Sequence, residues 1–139
     1  MRFLRRGDLR RASTRMAGEN DDLFEMANLS PALTGLPMID WISERGRARH
    51  DARVKVALIH GRRARPDRTA SVSVRPTVEV VAGAEVERRD LELVRQWIEL
   101  NRETIIAYWD GDLLTDEVIT RLKPIAPAPR SGGAPDATP

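Results

Sequence analysis

His50 and His60 are the first candidates for acid–base or metal chemistry, the only histidines in a sequence without cysteine. The absence of cysteine rules out disulfides, thiolate nucleophiles and cysteine metal ligands. The segment Asp51 to His60 (DARVKVALIH) alternates like a strand. Two histidines at the ends of one straight strand lie about 33 Å apart at roughly 3.3 Å per residue. They cannot share a metal ion, and no His-x-x-x-His spacing exists to supply another pair. His50, beside Asp51 at the strand entrance, is the better acid–base candidate. A surface or structural role is the plainer reading for both.

The run Asp110 to Glu117 (DGDLLTDE) holds four acids and suggests calcium, but its twelfth position is Arg121, where a calcium-binding loop needs a bidentate glutamate. A helix stop at Gly111 and a helix cap at Thr115 explain the run without an ion. Glu99 and Glu103 read as a solvated helix face. Asn101 falls near the middle of an apolar helical arc, where an unpaired amide costs about 1–3 kcal/mol. It is therefore expected to act as a polar core anchor, bonded to the sheet or to a neighbouring side chain. The sequence has no nucleophile elbow, phosphate loop or dinucleotide fingerprint. No catalytic, cofactor or metal site is expected, and an enzyme centred on His50 is the least favoured reading.

The central element is Asp90–Asp110 (DLELVRQWIELNRETIIAYWD), the longest stretch without Gly or Pro. With Ile98 set at zero and about 100° per residue, Leu91, Val94, Ile105 and Trp109 lie within roughly 40° of it. Leu93, Trp97, Leu100 and Tyr108 extend the arc to about half the circumference, so one broad side should be buried against a sheet. Asp90 is placed to cap the N-terminus and Gly111 to end the helix. Four extended segments precede it: Met38–Ser43, Asp51–His60, Thr69–Arg75 and Thr77–Val81, with Pro76 marking an edge or bulge. Their short connections fit an antiparallel meander, since parallel strands need crossovers of about a dozen residues. A short helix, Asp116–Leu122, follows. The fold class is α+β: a small antiparallel meander packed on one long C-terminal helix. Val54, Val56, Leu58, Val72, Val74, Val94, Trp97, Ile98, Leu100 and Ile105 form the expected core.

One domain is expected, over residues 29–125 of the 139. Residues 1–28 read as disordered or as an upstream extension of the reading frame, since Met26 opens a stretch that resembles a natural start. Residues 126–139, rich in Pro, Ala and Gly, read as a disordered tail. Of 23 basic residues, 21 are arginine, which points to a GC-rich bacterial genome. No apolar run approaches the roughly 20 residues of a membrane span, so a cytoplasmic protein without membrane contact is expected.

Charge carries the strongest functional indication. Ser43 to Arg68 holds nine basic residues and three acids, a net of +6; Glu85 to Glu117 holds four and ten, a net of −6. Arg53, Lys55 and Arg75 should point away from the inward valines. That face would join Arg47, Arg49 and His50 at one end of the second strand to Arg62, Arg63 and Arg65 at the other. Such a surface suits an acidic protein or phosphate backbones, but it lacks the aromatic residues that stack bases, so it does not read as an RNA-recognition sheet.

The run Val94-Arg95-Gln96-Trp97-Ile98-Glu99-Leu100-Asn101-Arg102-Glu103, followed by Tyr108-Trp109, resembles the C-terminal helix of a family of small bacterial proteins of unknown function. That family pairs a short β-meander with a W-x-E-L-H-R-E helix and is often suspected of belonging to toxin–antitoxin-like gene pairs. Here Asn101 stands where the family has His, and its His-rich strand is reduced to Arg49-His50-Asp51. The resemblance implies an α+β fold and brings no activity. The functional expectation is a non-enzymatic interaction module with a protein partner, one half of such a pair. The alternative is sequence-nonspecific nucleic-acid binding through the basic sheet face.

Overall fold

The computed structural model describes residues 13–17, 23–65 and 67–126. Six antiparallel strands run in sequence order across one sheet: β1 (Ser13–Ala17), β2 (Leu23–Leu29), β3 (Met38–Ser43), β4 (Arg53–His60), β5 (Thr69–Ser73) and β6 (Val80–Gly83). A one-turn helix α1 (Pro31–Thr34) links β2 to β3. The long helix α2 (Arg88–Trp109) and the short helix α3 (Thr115–Arg121) follow the sheet. The fold is α+β, a meander followed by its long helix, as the periodicity indicates.

The sheet begins earlier in the chain than expected. β2 pairs with β3 over Met26–Leu29, and Ala27 and Leu29 are completely buried. Leu23–Leu29 is therefore one strand whose Ala27 and Leu29 enter the core, and a domain opening at Leu29 divides it. The rest of the two terminal stretches expected to be disordered, 1–12, 18–22 and 127–139, lies outside the described residues.

Alternation decides which side chains enter the core. One inward row crosses the sheet as Leu29, Asp40, Val56, Ala70 and Gly83, each paired with the next. Val54, Val72 and Val74 are also buried, as expected. Leu58 is only half-buried and Ala57 fully buried, because the β3–β4 register slips between Met38 and Asp40.

Helix α2 starts two residues before its expected cap. Glu87 occupies the cap position without a side-chain bond, and Asp90 sits in the first turn. Its buried residues are Asp90, Val94, Trp97, Ile98, Asn101, Ile105, Tyr108 and Trp109. At 100° per residue they occupy an arc of about 120°, narrower than half the circumference. Leu100, expected in the core, is 48% exposed because it lies about 200° from Ile98 and the sheet covers only one side.

Gly111, with φ 84°, ends α2 in the left-handed conformation that glycine accommodates without strain. The cap of α3 differs from the expectation. Leu114 is the cap residue, its N–H donating to Glu117 Oε1 at 2.8 Å, while the Thr115 hydroxyl meets the Tyr108 hydroxyl at 2.8 Å. Beyond α3 the chain returns to α1, where the Ile125 N–H donates to the Thr34 carbonyl at 2.9 Å. A Cβ on Gly35 would lie 2.3 Å from the Ile125 carbonyl oxygen, so this closure requires glycine there.

Candidate functional site

The sheet has two unlike faces. Toward the helices, the inward rows join α2 and α3 in one apolar cluster. On the other face a polar row crosses the sheet: Asn28, Trp41, Lys55, Ser71 and Ala82, each paired with the next. Arg53, opposite Ser73, lies on the same face. Trp41, Arg53 and Lys55 are half-buried. This face therefore carries an aromatic ring directly opposite a lysine, contrary to the expectation that it lacks one. Trp41 occupies a six-residue strand, and only its pairing partners fix which way the indole points.

The arginines expected to surround this face divide into groups. Arg47 and Arg49 lie exposed in the β3–β4 loop, and Arg62, Arg63 and Arg65 in the β4–β5 loop. Arg65 pairs with Asp67 at 3.3 Å. Arg75 is exposed, and its guanidinium donates to both Asp51 oxygens at 2.8 and 2.9 Å. That hydrogen-bonded pairing holds the Asp51 carboxyl down at about 2. Much of the Arg75 charge is thus neutralised locally.

The two histidines are separated as the strand geometry requires. His50 is exposed in the loop before β4; its Nδ1 is 2.7 Å from the Asp51 carbonyl oxygen, and its ring stacks on Trp109 with centroids 5.8 Å apart. The Asp51 carboxylate is directed to Arg75, so His50 meets the Asp51 backbone and not its acid. His60, at the far end of β4, holds Asp90 Oδ2 through Nε2 at 2.8 Å. This pair ties the strand end to the first turn of α2. Position alone signals it, one residue closing a strand and the other opening a helix, since the two are 30 apart in sequence. Among the described residues, no group of three or more His, Asp or Glu is placed to hold a metal ion.

Asn101 is a core anchor attached to an unexpected partner. Its Nδ2 donates to the Trp97 carbonyl at 3.0 Å and the Lys123 carbonyl at 2.9 Å, and its Oδ1 accepts the Lys123 N–H at 2.8 Å. The amide pairs with a backbone peptide beyond α3 and fixes that segment to the long helix. Asn101→Ala strands both Lys123 groups and should lower the unfolding free energy by about 2 kcal/mol. Urea melts measure this, and a loss within about 0.5 kcal/mol would mean that water replaces the amide at no cost.

One buried group had no signal in any motif. Asp40 is completely buried in the inward row between Leu29 and Val56, and neither carboxylate oxygen has a hydrogen-bond partner. Burial pushes its pKa well above the usual carboxylate value, against a weaker pull from its own backbone amide. The Trp97 indole N–H is also buried and unpaired.

A long helix packed on a meander is the pattern that the family resemblance describes. Residues 56–110 match a domain of unknown function, DUF4160. No curated protein and no solved structure matches the chain. The DUF4160 stretch runs from the middle of β4 to the end of α2 and includes His60, Ser71, Asp90, Trp97 and Asn101. Asp40, Trp41, Arg53 and Lys55 precede it. The DUF4160 match supports a small domain-of-unknown-function family and assigns no chemistry to any residue. No helix among the described residues is long and apolar enough to cross a membrane.

Proposed function

We propose that this chain is a non-enzymatic interaction module that docks an acidic partner on the outer sheet face. The observation that carries the reading is the row Asn28–Trp41–Lys55–Ser71, with Arg53 beside it, on the face opposite α2 and α3. β3, β4 and β5 contribute no acid to that face: Asp40, the only carboxylate in the three strands, points inward. Many of the exposed acids lie along α2 instead, where Glu92, Arg95 and Glu99 form an exposed ladder. A partner approaching the sheet meets cations around an aromatic ring, a composition typical of binding surfaces.

The setting we propose, resting on the family resemblance alone, is one half of a toxin–antitoxin-like gene pair. The test is capture of partners from the native cell with the unaltered chain, an Arg53→Glu/Lys55→Glu variant and a Glu99→Lys/Glu103→Lys variant. The sheet variant should lose the partner and the helix variant retain it. Equal retention by both variants would place docking elsewhere.

A further inference from the structure

We propose that the outer face binds single-stranded nucleic acid, with the Trp41 indole as a stacking platform and Arg53 and Lys55 on the flanking phosphates. The inference rests on the docking reading and names the partner's chemistry. Trp41 stands directly opposite Lys55, a pairing that brings cross-strand Cβ atoms to about 4.5–5.5 Å. Arg53 is two residues from Lys55 on the same face, about 7 Å along the strand. The neighbour of Lys55 in the row is Ser71, a short polar side chain that can hydrogen-bond bases or sugars. An aromatic ring among cations, with a small polar neighbour, is the composition by which proteins hold unstacked bases and their backbone together.

The arginine loops extend the path. β4 has eight residues, and a strand of that length spans about 26 Å. Arg49 lies before its start and Arg62 and Arg63 lie after its end. Cations therefore stand at both ends of a strand whose middle carries the platform. A duplex hides its base faces, so Trp41 adds affinity only for a single strand. An acidic protein would use the same cations but gain no base stacking.

The test uses the full chain with fluorescent 20-mers of single-stranded deoxythymidylate, single-stranded uridylate RNA and mixed-sequence duplex DNA. Low-salt binding should favour the single strands over the duplex, and the DNA and RNA arms show which sugar is preferred. Affinity should fall with salt at about 0.7 log units per log unit for each phosphate contacted. Trp41→Leu keeps an apolar side chain without a π-face and should weaken single-strand binding roughly tenfold with the salt slope unchanged. Trp41→Phe should restore part of the loss. Arg53→Gln/Lys55→Gln should lower the slope by about 1.4, two contacts' worth. No complex at tens of micromolar protein, or duplex binding as tight as single-strand binding, would overturn the proposal even if the Trp41 variants failed to fold. A nuclease-resistant protein complex lost on Arg53→Glu/Lys55→Glu would leave the docking reading standing and the nucleic-acid partner refuted.

Discussion

Trp97→Ala is expected to lower the free energy of unfolding by about 3–5 kcal/mol, the usual cost of emptying a large buried aromatic site. Trp97 is completely buried at one edge of the α2 stripe, and α2 packs against β3. Its indole N–H has no partner, so the side chain contributes through apolar contact and not through a hydrogen bond. Leu100→Ala is the matched control. Leu100 stands three positions along the same helix but is 48% exposed, and its loss should change stability by less than about 0.5 kcal/mol. Urea melts of the two variants read the orientation of the helix directly. A loss under about 1 kcal/mol at Trp97 would mean that α2 does not seat its tryptophan in the sheet.

Removing Asp40 should stabilise the protein, and increasingly so as the pH rises. The unfolded chain gives up this proton near 3.8, whereas burial makes the folded chain retain it to higher pH. Above 3.8 the folded state therefore binds more protons, and stability falls with rising pH until the buried acid itself ionises. Among the described residues no buried cation accompanies it: its row neighbours are Leu29 and Val56, and the buried residues of α2 include no base. Asp51 and Glu92 act in the opposite direction. Their arginine partners hold both below their ordinary values, so their contribution is lost only as pH falls through the acidic range. The two effects occupy different pH windows.

Asp40→Asn should match the native chain near pH ~4 and exceed it in stability by a growing margin toward pH ~8. Asp40→Val also removes an unpaired buried polar group, and should add about 1–3 kcal/mol even at the acidic end. Urea titrations at about pH 4, 6 and 8 separate these effects. Native stability that stays flat across that range would show that Asp40 finds a partner in solution.

The elements were legible where local periodicity is strong. Alternation in β4 and β5 marks Val54, Val56, Val72 and Val74 as inward, and the turn of an α-helix brings Val94, Trp97, Ile98 and Ile105 onto one face. Both periods follow from backbone geometry, and the structure buries all eight residues. Gly111 was legible because only a residue tolerant of positive φ ends a helix that way. Pairing was not legible. Which strand lies beside which residue depends on contacts between segments distant in the chain. Sequence alone therefore opened the domain at Leu29, inside β2, gave Asn101 a partner in the sheet or a neighbouring side chain and put Leu100 in the core.

The candidate site shows the same division. Composition determined that charge is segregated, because like charges cluster visibly along the chain. Register decided that Trp41 stands opposite Lys55 and that Asp40, its neighbour, is directed into the core. A strand sends successive side chains to opposite faces, so the pairing of β3 with β2 and β4 separates adjacent residues into a binding candidate and a buried acid. The sequence by itself determined the α+β class, the long helix and the charge balance. The tertiary structure decided which face carries the ring, what Asp51 and Asp90 hold, and where the helix seats, because each depends on residues that only folding brings together.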